Sequence, residues 1–153
     1  MPPFAPMPLF ERLEDDAPFL ANEVPVQRTL SADALRASVR DELLRLLNTR
    51  RGTAKVRRSP DVLLYGLPDW SAYSASRAAD RASLERHVVE AVRAFEPRLQ
   101  RPRAQVEPDP EVPWRLRLTI TGSLRTEYGE WPVTYVAQLA DGQSIGLVDE
   151  RLA

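Results

Sequence analysis

Residues 93–107 read RAFEPRLQRPRAQVE, and the hydrophobic period changes inside this stretch. Up to Phe95 the apolar residues recur every three or four positions, as Leu84, Val88, Ala91, Val92 and Phe95, which predicts a helix over about 77–95. Pro97 stops it and pushes Glu96 out of helical backbone values. Beyond the stop, Arg103–Glu107 reads as a short strand. A carboxylate at a helix C-terminus faces the negative end of the dipole, so Glu96 calls for a cation beside it. Arg98, Arg50 and Arg51 are candidates within the chain, and a guanidinium of a partner protein is the alternative.

Upstream, Leu35, Val39, Leu43 and Leu46 follow helical spacing over about Ser31–Leu47, with Ser31 as N-cap and Asp33 in the first turn. Leu44 and Leu47 widen the stripe. Asn48, Thr49 and Gly52 close this helix, with Arg50 and Arg51 near its negative end. Downstream the period is two. Leu116, Leu118 and Ile120 alternate with Arg115, Arg117, Thr119 and Thr121, and Val133, Tyr135, Ala137 and Leu139 repeat the pattern. Asp141-Gly142 marks a tight hairpin turn before a last strand, SIGLV. Helices first and an antiparallel meander second predict an α+β domain over 31–153, two main helices packed on a small sheet. Residues 1–30 form a proline-rich arm in which Leu9, Phe10 and Leu13 suggest a short helix.

Composition narrows the function. The chain has 153 residues, a formal net charge of −1 and no cysteine. A net-neutral surface argues against general nucleic-acid binding. Without cysteine, and with His87 the only histidine, disulfides, thiolate nucleophiles and multi-histidine metal sites are excluded. No apolar run is long enough for a transmembrane helix, and the N-terminus has no secretory pattern. Lys55 is the only lysine, arginine supplying all other cations. The connection over 53–76 carries apolar Val62–Tyr65, turn residues Gly66, Pro68 and Asp69, and Trp70 and Tyr73, which read as structural anchors. His87 borders the apolar face of its helix and reads as a core-edge residue. No phosphate loop or metal-ligand spacing is present, and no cofactor is expected. Glycosidase chemistry needs two carboxylates at a fixed separation, and nothing places a second one opposite Glu96.

Four stretches occur in order: PLFERL (8–13), LLNTRRG (46–52), YGLPD (65–69) and FEPRL (95–99). Together they resemble the TssE-type baseplate subunit of bacterial type VI secretion systems, a lysozyme-like family related to a baseplate wedge protein of phage tails. The resemblance implies a structural, non-enzymatic protein at the cytoplasmic face of the inner membrane. Its partners would be wedge subunits of the TssF, TssG and TssK type, contractile sheath subunits and the spike, without nucleic acid or membrane insertion. It implies two surfaces: a wedge-binding corner at Glu96, Pro97 and Arg98, with Arg50 and Arg51 as further partner-facing residues, and a sheet edge that primes sheath assembly. A phage tail or another contractile injection system is the alternative host, and a peptidoglycan glycosidase the alternative activity. The prolines from Pro102 to Pro113 predict that the first strand after the helix is short.

Overall fold

The computed structural model describes residues 5–6, 19, 29–52, 62–126, 129–140 and 142–150. The short helix expected around Leu9–Leu13 lies outside them. In chain order the elements are β1 (Ala5–Pro6), β2 (Thr29–Leu30), α1 (Ala32–Asn48), a 3-10 turn (Val62–Leu64), α2 (Ala78–Phe95), β3 (Leu99–Pro108), β4 (Leu116–Thr126), β5 (Gly129–Leu139) and β6 (Gly146–Glu150). β1 pairs antiparallel with β2. The other four strands form one antiparallel sheet in the order β3-β4-β5-β6. This is the expected α+β arrangement.

The two periodicities bury the expected faces. Leu35, Val39, Leu43, Leu46 and Leu47 of α1 and Leu84, Val88, Ala91 and Val92 of α2 are buried. They share one core with Leu116, Leu118, Ile120 and Leu124 of β4 and Val133, Tyr135, Ala137 and Leu139 of β5. Each fully buried leucine, isoleucine or valine contributes about 1.5–3 kcal/mol of transfer free energy. Ser31 caps α1, its Oγ accepting from the Ala34 N–H at 3.2 Å. Trp70 is buried and Tyr73 packs against the core, as anchors do, but Leu63 in the 3-10 turn is exposed rather than packed. The other sheet face, with Arg117, Thr119, Thr121, Thr134, Val136 and Gln138, is not covered by any described element.

Two sequence expectations change. β3 is ten residues long rather than short. Its prolines fit for two reasons: Pro108 turns its nitrogen away from β4, where no ladder donor is needed, and the buried Pro102 falls in the register shift, where it pairs with no β4 residue. A register shift between Gln100 and Arg103 lets the strand bend there. Gly122 lies under it, where a Cβ would stand 2.7 Å from Leu99 Cδ1 and 2.9 Å from the Gln100 carbonyl. The β5–β6 link is not a tight hairpin. Residues 140–145 separate the strands, with Gly142 at positive φ and the Gln143 N–H donating to the Ala140 carbonyl. The extra length lets Ile145 reach α1, where Asn48 holds its backbone from both sides: the Ile145 N–H donates to Asn48 Oδ1 at 2.8 Å, and Asn48 Nδ2 donates to the Ile145 carbonyl at 3.0 Å.

Candidate functional site

Pro97 ends α2 at a corner that closes on itself. Glu96 is 1% exposed and its carboxylate takes a two-pronged contact from Arg98, Nε to Oε1 at 2.8 Å and Nη2 to Oε2 at 2.6 Å. The Arg98 N–H adds a third bond to Oε1 at 3.1 Å. The remaining arm of the guanidinium, Nη1, donates to Ser38 Oγ of α1 at 2.8 Å. The misplaced helix-end carboxylate is therefore answered within the chain by Arg98, tying the end of α2 to the start of β3 and the middle of α1. Pro97 remains exposed on the outside of the corner, and Arg98 is half-buried.

Arg50 and Arg51 are not brought to this corner. They follow α1 and pair with the loop carrying YGLPD: the Leu67 N–H donates to the Thr49 carbonyl and the Arg51 N–H to the Leu67 carbonyl, both at 2.8 Å. Gly66 is obligatory there. Its φ is +102°, and a Cβ would lie 2.2 Å from the Thr49 carbonyl oxygen. Arg50 Nη1 lies 3.6 Å from Asp69 Oδ1. His87 faces Arg51; burial, then the Arg51 charge, push its pKa below the usual histidine range. His87 Nδ1 has no hydrogen-bond partner among the described residues. Tyr65 joins the two regions, donating to Glu42 Oε1 at 2.7 Å and meeting the Phe95 ring edge-on at 5.2 Å.

The sheet has two edges, and they differ. Residues 126 and 129 pair across a two-residue turn, which makes them a doubly bonded pair and fixes the alternation outward. By that alternation Gly146, Val148 and Glu150 direct their backbone groups to β5, while Leu147 and Asp149 direct theirs away from the sheet. On β3, Ala104, Val106 and Pro108 face away. Two details agree with this phase: Pro132 needs no donor toward Ser123, and the outward Val106 N–H is taken by Glu85 Oε1 of α2 at 2.8 Å. The β3 edge is thus blunted by Pro108 and by the α2 carboxylate. At β6, two N–H groups and two carbonyls, of Leu147 and Asp149, have no partner among the described residues.

β6 is short but held in place. Arg36 of α1 grips Asp149 with Nε to Oδ2 at 2.9 Å and Nη2 to Oδ1 at 2.5 Å. The same contact holds the Arg36 guanidinium protonated beyond its ordinary range. The Tyr135 hydroxyl donates to the Arg36 carbonyl at 3.1 Å, and Asn48 anchors Ile145 at the other end. The sequence placed Leu147 in the last strand and Asn48 at the end of the first helix, but assigned neither of them, nor Arg36 or Asp149, a part at this edge; the alternation in SIGLV was the available signal.

Among the described residues no group of three or more His, Cys, Asp or Glu could hold a metal ion, and no helix is long and apolar enough to cross a membrane.

The model of the family described as "Baseplate wedge protein gp25" matches residues 33–128, from the first turn of α1 through β4. The chain belongs to the gp25 baseplate wedge family. Its role is that of a baseplate structural protein. The matched span contains LLNTRRG, YGLPD and FEPRL, the motifs that meet at the α1–loop contact and the α2 corner; PLFERL lies before it. Among solved structures, a chain from "The baseplate complex from the type VI secretion system" shares the fold, with a TM-score of 0.54 and 19% identity over 71% of this chain and 96% of that one. No curated protein matches the chain. This gp25-family chain presents two distinct regions, a helix corner braced by Arg98 and a sheet edge whose outward backbone groups have no partner among the described residues.

Proposed function

We propose that the chain links wedge subunits to the contractile sheath of a type VI secretion baseplate and that the β6 edge takes up the first strand of the sheath. The observation that carries this is the asymmetry of the sheet: one edge is blunted by Pro108, by Glu85 on the Val106 N–H and by α2 packed along β3, while the other keeps two donors and two acceptors without a partner among the described residues, on a strand fixed by Arg36 and Asn48. A clamped edge of this kind adds a strand through backbone bonds with little rearrangement. The Glu96–Arg98 corner is the second surface. Glu96 is sealed inside, so it acts by holding Pro97 and Arg98 in position for the wedge subunits of the TssF, TssG and TssK type, with Arg50 and Arg51 on the adjoining loop side. The sealed carboxylate also speaks against glycosidase chemistry at Glu96. In this reading the protein works at the cytoplasmic face of the inner membrane, next to the spike.

Leu147→Pro tests the edge. Its N–H faces outward, so proline removes a docking donor without breaking a β5 bond. The purified variant is expected to keep its unfolding temperature within a few degrees and to co-purify with wedge subunits, while cells carrying it assemble no sheath. Sheaths of normal number and length in those cells would refute the proposal. Pro97→Asp tests the corner: wedge co-purification is expected to fail in a folded protein, and normal co-purification removes Pro97 from the interface.

A further inference from the structure

The unpaired β6 edge lies between two hollows. On the helix side, Asp33, Arg36, Ala37, Arg40, Leu147, Val148 and Asp149 line a space of about 430 Å³. On the outer face a space of about 680 Å³ runs from Val148, Gly146 and Glu150 across Val136 and Arg117 to Pro110 and Glu111 of the β3–β4 loop. A strand added to β6 sends successive side chains alternately to these two sides. We infer that the edge selects its strand by chemistry: an extended partner-protein segment with an apolar residue opposite Leu147, on the helix side, and an arginine or lysine opposite Val148, on the outer side. This rests on the reading of β6 as an acceptor edge.

The charges of the two hollows differ. On the helix side Arg36 is matched by Asp149, with Asp33 also close enough to act on its charge, and Arg40 by Asp41, around the apolar floor of Ala37 and Leu147. A charged side chain gains nothing there and an aliphatic one loses water contact. On the outer side the carboxylates outnumber the cations. The Glu111 carboxylate makes no hydrogen bond or ion pair among the described residues, and that of Glu150 has only an exposed 3.3 Å contact with Arg117. Asp109 stands at the same rim, its Oδ1 taken up by the N–H groups of Glu111 and Val112 at 2.8 and 3.2 Å. Those bonds, with the Asp109 N–H to Arg115 carbonyl bond at 2.8 Å, brace the loop that carries Glu111. Val148 is 65% exposed and its cross-strand partner Val136 is half-buried, so together they give a bed for a long aliphatic stem. Gly146 adds no side chain to the crowding. A lysine or arginine opposite Val148 lays its methylenes on this bed and carries its head to Glu111 and Glu150. An acidic residue at that position meets like charge.

The test selects a displayed library of nine-residue segments on the intact chain and on its Glu111→Lys variant, which keeps the fold because Glu111 is exposed and forms no bond with its side chain. Segments enriched on the native chain are expected to alternate apolar and basic residues. On Glu111→Lys the outer position is expected to turn acidic, and a basic segment from the first selection to bind roughly fivefold more weakly. The same charge preference on both proteins, or none on either, overturns the inference. Leu147→Pro separates the two levels. Loss of every selected segment on Leu147→Pro supports the acceptor edge whatever the charge result. Undiminished binding there, or no enrichment on the native chain, overturns the acceptor edge itself.

Discussion

Replacing Arg98 by methionine strands the Glu96 carboxylate, and the structure sets the size of the effect. Glu96 is 1% exposed against 25% for Arg98, so the two partners leave unequal damage behind. Breaking a buried pair by removing one member costs about 3–5 kcal/mol. Arg98→Met belongs at the top of that range, about 4–5 kcal/mol, because among the described residues the carboxylate keeps only the Arg98 backbone N–H as a donor and is almost fully shielded from water. Glu96→Gln belongs below it, about 2–3 kcal/mol, because the guanidinium retains Ser38 and turns to solvent. The double variant removes the stranded charge and is expected to be more stable than Arg98→Met alone, a coupling of about 2 kcal/mol or more. Urea unfolding of the four proteins reads this directly. With a slope of roughly 1–3 kcal/mol per molar, Arg98→Met lowers the midpoint by about 2 M at an unchanged slope. In a chain of this size the melting temperature falls by roughly 10 °C or more. Additive single effects, or an Arg98→Met cost below about 1 kcal/mol, would show that the pair behaves as an ordinary surface ion pair and that the corner is not braced from within.

Gly66→Ala is expected to cost roughly 2–4 kcal/mol, since its Cβ meets the Thr49 carbonyl at a positive φ; thermal unfolding checks this, and a loss below 0.5 kcal/mol would contradict the close approach. Asn48→Ala releases both backbone bonds to Ile145 and should cost about 1–3 kcal/mol, with faster amide exchange over 146–150 than elsewhere in the sheet. For His87 the folded pKa lies below the unfolded value of 6.5, so its contribution is present above that pH and is lost as pH falls toward the folded pKa. His87→Gln is therefore expected to lose less stability than the native chain between pH 7.5 and pH 5; parallel melting curves in that window would place no titration at His87.

The sequence by itself determined the layers. Leu35 to Leu47 and Leu84 to Phe95 repeat at helical spacing, and Leu116 to Leu124 and Val133 to Leu139 at strand spacing, because burial of one face demands those periods. Ser31 as a cap, Pro97 as a stop and Trp70 as an anchor were legible for equally local reasons. The length of β3 was not, because prolines weaken a strand only where the ladder needs their donor, and that depends on which neighbour the strand faces. Nor was the partner of Glu96. Three arginines were available to it in sequence, and only the chain's turn after Pro97 delivered Arg98 while the YGLPD loop took up Arg50 and Arg51. The open edge belongs to tertiary structure alone. Which residues of β6 keep unpaired backbone groups follows from a pairing phase passed across three strands. That the other edge is blunted depends in part on Glu85, twenty-one residues away from Val106 and on another element. Hydrophobic patterns are written residue by residue, whereas an edge is defined by what does not lie beside it in space.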